Sequence, residues 1–207
     1  MDKFEKLALE AIEESKSSTY TPQDPFASFG FSANPFLETD IDQLQKEKCI
    51  ESRFRVVIKY FNKVYNSFKE TQNSKKTEDS IMDGVLFGSQ QSGMSTLISL
   101  AYQYLIRVHE DLSKAVYADA YDLVEFEDNL YSIAKTFQNF RNYIGRQNVE
   151  GDAVPLLIID HADFLVEFFE DFRYSIERDF QNVPIVFIFS QSGWIRLKNE
   201  LAFSDYD

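Results

Sequence analysis

The sequence predicts an α/β domain: a parallel sheet with helices on both faces. Three observations carry that expectation. Apolar runs without polar alternation recur at residues 85–87, 156–159 and 186–189, the pattern of strands buried on both sides. Stretches with helical spacing separate them, the rhythm of strands joined by crossover helices. Polar or glycine residues then stand where each strand ends, at Gly88, Asp160 and Ser190, on the carboxyl edge where α/β sheets hold ligands.

In chain order, residues 3–16 read as a short helix with Phe4, Leu7, Ala8, Ala11 and Ile12 on one face. Residues 17–42 gather Ser, Thr, Pro, Asn and Gly with aromatic residues, so a loop or linker that packs on the domain is expected. Residues 49–68 carry apolar side chains at 50, 54, 57, 58, 61, 64, 65 and 68, a strong helical pattern, and 66–80 form a polar break. A strand at 84–87, a helix at 94–110 and a weaker strand at 114–120 follow. A helix is expected at 126–143, then a turn at Gly145 and Gly151, a buried strand at 155–160 and a helix at 163–180. A strand at 184–190 and a helix at 193–201 complete the series. The expected division is an N-terminal helix and Pro/aromatic linker over 1–42, then a domain over 43–207.

The composition narrows the function. At 207 residues the chain suits one such domain with a small N-terminal appendage. Hydrophobic residues make up 44%, yet no apolar run approaches the roughly 20 residues that cross a bilayer. Residues 1–18 are charged and amphipathic, unlike a signal peptide. Cys49 is the single cysteine, which rules out an internal disulfide and a cysteine-rich zinc site. A reducing compartment, cytoplasmic or nuclear, is expected. The net charge of −13 disfavours direct nucleic-acid binding, although Lys75 and Lys76 leave open a local basic patch beside the simpler reading of a solvated loop. Twenty phenylalanines and eleven tyrosines fill a core and leave material for a protein-binding surface.

Chemistry concentrates in three motifs. The first is Gly88-Ser89-Gln90-Gln91-Ser92-Gly93-Met94-Ser95-Thr96, between a strand and a helix. Glycines at that spacing let consecutive N–H groups converge on an anion at the helix start, and Ser95 stands where a hydroxyl would ligate Mg²⁺. Met94 occupies the place of the lysine that reaches the β- and γ-phosphates. The second motif is Leu156-Leu157-Ile158-Ile159-Asp160-His161-Ala162-Asp163. Asp160 ends a buried strand, where an aspartate holds the Mg²⁺ water shell in P-loop enzymes. The simpler alternative is that it caps the following helix, a task that Asp163 fits better. The third is Ser190-Gln191-Ser192, polar residues after a buried strand that either face a γ-phosphate or simply end the strand.

In their order and spacing these motifs resemble AAA+ ATPases and their STAND-type relatives over roughly residues 29–207. The segment Phe29-Gly30-Phe31-Ser32-Ala33-Asn34-Pro35-Phe36, before the helix with Arg53, is similar to the opening of ExeA/TniB-type and archaeal origin-recognition-like ATPases. The resemblance implies residues 88–96 as Walker A, Asp160 as Walker B and Ser190, Gln191 and Ser192 as the sensor-1 neighbourhood. It implies ATP with Mg²⁺ as cofactor, with Ser95 and Asp160 on the metal. Two departures weigh against hydrolysis. Met94 removes a phosphate-binding cation, and His161 stands where an acid usually positions the attacking water. His161 can act as a base, the one catalytic candidate, or serve as a structural hydrogen-bonder, which is commoner at a strand end. The resemblance also implies a helical C-terminal lid that is not recognisable in residues 43–207, so the expectation is a piece of a longer protein truncated before the lid, or a domain without one.

Three functions follow as expectations. The first is a degenerate AAA+-like domain, a pseudo-ATPase acting as a nucleotide-sensing or structural assembly module. It would bind protein partners, such as a related ATPase or further copies of itself, and in that role it holds nucleotide or no cofactor at all. The second is an active ATPase with a variant loop, completed by a neighbouring subunit and working on DNA-associated substrates. The third is a Rossmann-like interaction domain without nucleotide history. The N-terminal helix either tethers a partner or packs on its own domain.

Overall fold

A computed structural model describes residues 3–17, 43–73, 84–88, 93–127, 130–147, 154–180 and 183–204. The expected boundary at residue 42, the 17–42 linker beyond Ser17, the Phe29–Phe36 motif and the Lys75-Lys76 pair lie outside these residues. So do residues 89–92 and Gly151. The chain divides into two compact units, Met1–Lys63 with Ser92–Ser113, and Val64–Gln91 with Lys114–Asp207.

The first unit is helical. Helix α1 (Lys3–Ser17) buries Ala8, Ala11 and Ile12, one stripe at three- and four-residue spacing. Helix α2 (Gln43–Asn73) buries Phe54, Val57, Ile58 and Phe61 within this unit. Phe4, Phe54 and Tyr104 pack ring against ring, with centroids 5.1 to 5.8 Å apart. Helix α3 (Met94–Val108) buries Ile98, Ala101 and Leu105. It closes with the His109 N–H on the Leu105 carbonyl at 2.9 Å, before a 3₁₀ turn at Glu110–Leu112. Arg55 pairs with Glu10 and Glu14, Lys59 with Glu14 and Lys3 with Glu51, so charge holds α1 along α2 outside the apolar stripe.

The second unit is built on a four-stranded parallel sheet in the order β1-β6-β5-β2. The strands are β1 (Gly84–Gly88), β2 (Val116–Asp119), β5 (Leu157–Asp160) and β6 (Ile185–Ser190). Alternation sends Val116, Ala118, Leu157, Ile159, Ile185, Phe187 and Phe189 to one face. There they form a single core with Phe140 and Ile144 of α5 (Ile133–Gln147) and Phe172 and Ile176 of α6 (Phe169–Phe180). Tyr117, Ile158, Asp160, Val186 and Ile188 belong to the opposite face, and the three aliphatic residues among them are buried. The expected α/β class with a parallel sheet is therefore observed, and all three of the long apolar runs form strands.

Several boundaries differ from expectation. Residues 126–127 and 130–131 form the antiparallel pair β3 (Phe126–Glu127) and β4 (Leu130–Tyr131), where a helix was expected. Around this hairpin the Ser132 N–H reaches the Glu125 carbonyl at 2.8 Å and the Glu125 N–H reaches the Thr136 hydroxyl at 3.0 Å. Those bonds close a loop that a continuous helix would break. Gly145 lies inside α5 instead of in a turn. The helix expected at 163–180 opens as a 3₁₀ segment, Ala162–Phe168, before α6. Helix α2 runs through residues 66–73, expected as a polar break. Helix α7 (Gln191–Ser204) begins two residues early, because Ser190 caps it. A short helix α4 (Ala120–Leu123) follows β2 directly.

Candidate functional site at the carboxyl edge of the sheet

Both β2 and β5 end in aspartate, and Asp119 and Asp160 are register partners on adjacent strands. Two like charges side by side are unfavourable unless donors compensate them. The Asp160 side chain is nearly fully buried, and both of its oxygens accept from the chain. Oδ1 takes the backbone N–H of His161 at 2.8 Å, and Oδ2 takes the Tyr117 hydroxyl at 2.7 Å. Tyr117 precedes Asp119 by two residues, so alternation on β2 puts it on the face that carries Asp160. Burial and then the Asp160 carboxylate raise the Tyr117 phenol far above its ordinary value, so it remains a donor at any physiological pH. Tyr143 of α5 donates to the Tyr117 carbonyl at 2.8 Å, and burial raises its phenol too.

His161 follows Asp160 with φ 51° and ψ 38°, the one non-glycine residue in the left-handed region among the described residues. Histidine tolerates that region better than most residues. Its Nδ1 lies 2.8 Å from Asp119 Oδ1, and an ionised carboxylate only accepts, so Nδ1 carries the proton. Burial opposes charging of the ring. The hydrogen bond to Asp119 and the charges of Asp160, Asp119 and Asp163 outweigh it and raise the pKa above 6.5. The same Asp119 oxygen accepts the Tyr121 N–H at 2.9 Å, capping α4.

Asp163 acts elsewhere. It was expected to cap the helix that follows β5, but its carboxylate reaches across to β6. Oδ2 accepts the Ser190 N–H at 2.9 Å and Oδ1 the Ser190 hydroxyl at 2.5 Å. With its proton so placed, Ser190 Oγ accepts the Gly193 N–H at 3.0 Å and the Ser192 hydroxyl at 2.9 Å. Gly193 makes this possible: a Cβ there would stand 1.7 Å from Asp163 Oδ1. Arg196 adds a bond from Nη2 to the Asp163 carbonyl at 3.3 Å. Gln191 and Ser192 are exposed on the first turn of α7.

Thus Asp160, His161 and Ser190 sit at neighbouring strand ends, and Gly88 is the register partner of Ser190. Residues 89–92, that is Ser89, Gln90, Gln91 and Ser92, lie outside the described residues. Gly93, Met94, Ser95 and Thr96 belong to the first unit. There Gly93 has φ 70° and ψ 18°, and its carbonyl accepts the Leu97 N–H at 3.0 Å as α3 begins. Sequence reasoning missed Tyr117 and Asp119. The available signal was the likeness of Val116-Tyr117-Ala118-Asp119 to Leu157-Ile158-Ile159-Asp160, two strands that end in the same residue.

A resident divalent cation does not fit these side chains as they stand. Magnesium demands octahedral oxygen ligation and needs carboxylate oxygens open to it. Both oxygens of Asp160 are engaged, and no group of three or more His, Cys, Asp or Glu among the described residues is arranged to hold a metal. Among those residues, too, no helix is long and apolar enough to cross a membrane. Comparison with family models, with curated proteins and with solved structures finds no match to this chain.

Proposed function

We propose that this chain is a P-loop-type, AAA+-like domain that serves as a structural assembly module for protein partners and does not hydrolyse ATP efficiently. One observation carries the reading: the three residues that motif order assigns to nucleotide chemistry at the sheet edge, Asp160, His161 and Ser190, are each bonded to the chain itself. Met94 in the lysine position supports it, because the loop then lacks a cation for the β- and γ-phosphates. The strand order supports the ancestry, since β6 lies between β1 and β5 and brings Ser190 beside Gly88. Exposed aromatic surface, with Tyr121 and Tyr174 about two-thirds exposed and Phe87 half exposed, suits protein contacts better than the acidic chain suits DNA.

The test is phosphate release from Mg-ATP by the purified chain, alongside calorimetry with ATP and ADP. No turnover above background is the expected result. Turnover that disappears in Asp160→Ala would refute the reading. Met94→Lys then separates a preserved cradle, which gains nucleotide affinity, from a decayed one, which does not. The active-ATPase reading draws on one observation, the Asp119–His161 pair, which orients an imidazole as a base would be oriented. It requires turnover that rises with protein concentration and is lost in His161→Gln.

A further inference from the structure

On the reading of Asp160 as the residue at the Walker B position, we infer that Tyr117 and His161 are resident stand-ins for the divalent cation. They let the two strand-end carboxylates do without a metal.

Asp119 and Asp160 are adjacent in register and would repel one another without compensation. In a metal site the cation supplies that compensation. Here the described bonds supply four donor contacts: the Tyr117 hydroxyl and His161 N–H on Asp160, and the His161 ring and Tyr121 N–H on Asp119. They lie at 2.7 to 2.9 Å, the short range of charge-assisted hydrogen bonds. Asp163, the third carboxylate nearby, is turned away to Ser190. Asp160 is almost fully buried, so a cation reaching its Oδ2 competes with the Tyr117 hydroxyl, whose residue is held on the sheet face with its carbonyl bonded to Tyr143.

The inference makes an unusual demand: removing a donor must create metal affinity. Tyr117→Phe keeps the ring, deletes the hydroxyl and opens Asp160 Oδ2. The experiment uses the whole chain without nucleotide. Thermal melting is followed in millimolar Mg²⁺, and Mn²⁺-induced broadening of the His161 ring resonances is recorded. Wild type is expected to show neither a melting shift nor broadening. Tyr117→Phe is expected to melt lower without metal, to recover on adding Mg²⁺, and to bind Mn²⁺ roughly tenfold or more tightly than wild type, the scale usual for residues around a metal. Tyr117→Phe combined with Asp160→Asn should lose that response. Wild-type broadening that Asp160→Asn removes would overturn the inference, as would a folded Tyr117→Phe indifferent to both ions. Should Tyr117→Phe fail to fold, the wild-type Mn²⁺ measurement decides alone. Because nucleotide is absent throughout, metal binding by wild type sinks this inference only. The assembly reading stands or falls separately, on phosphate release.

Discussion

His109 in the first unit and His161 in the second are each tied into a side-chain network, and the two networks obey different physics. In the first, the Ser15 hydroxyl donates to the Ile12 carbonyl at 2.7 Å, so its oxygen must accept the Asn62 amide at 2.5 Å. That fixes the Asn62 orientation and turns its Oδ1 to His109 Nε2, 3.0 Å away, which therefore carries a proton. The central link, Asn62, is a fully buried amide, and the chain of bonds joins α1, α2 and the cap of α3. In the second, carboxylates at strand ends are compensated by Tyr117, His161, Ser190 and backbone N–H groups, and the His161 side chain is 44% exposed. A relay that runs through a buried amide loses much when that link is cut. A half-exposed charged cluster answers to pH and holds its geometry through close approach.

The largest test of that contrast falls on the close approach. Gly193→Ala drives a Cβ into Asp163, and despite alanine's better helix propensity it should destabilise the fold by about 3 kcal/mol in denaturant melts. Gly145→Ala is its control, since nothing lies within 4 Å of a Cβ there. Next comes the relay through Asn62: Asn62→Ala leaves Ser15 and His109 without their shared partner and should cost about 2 kcal/mol. A cost that vanishes in the Ser15→Ala background would show the amide matters only through α1. Arg55→Met should cost about 0.5 kcal/mol and less at high salt, because its pairs with Glu10 and Glu14 are partly solvated.

The smallest effects are the titrations, which run in opposite directions in the two units. His161 has a raised pKa, so its contribution is complete below the unfolded value of 6.5 and fades as pH rises through the folded one. The melting difference between wild type and His161→Gln should thus be full below pH 6.5 and shrink as pH rises above it. The Glu14 pKa is lowered, chiefly by its hydrogen bond to Lys59, which outweighs the opposing effect of burial. Its contribution is present above 4.5 and lost as pH falls, so Glu14→Gln should matter least in acid. Equal pH profiles for the two variants would contradict the contrast.

The three strands β1, β5 and β6 were legible because an unbroken apolar run that ends in Gly88, Asp160 or Ser190 has few other uses, although only β5 and β6 are buried along their length, edge strand β1 leaving Phe87 half exposed. The hairpin β3–β4 was not, because Phe126, Leu130 and Tyr131 also fit helical spacing, and only the bonds around Glu125 and Thr136 decide between the two. Asp160 and Ser190 could be placed at strand ends by counting. What each is bonded to could not, since Tyr117 lies 43 residues from Asp160 and Asp163 lies 27 from Ser190. Asp163 was read as a cap for its own helix, the local option. The one it serves is distant in sequence, made reachable by the missing side chain of Gly193.

The left-handed backbone at residue 161 has a consequence for descent with modification. A chain that once carried a glutamate beside Asp160 would not recover it by one substitution without a backbone cost. Glutamate in that conformation bears a backbone cost of about 1 kcal/mol, which asparagine, aspartate or glycine largely escapes. The local peptide geometry thus acts as a ratchet: drift at this position runs among residues that tolerate φ near 50°, and return to glutamate waits on a second change that straightens the strand end.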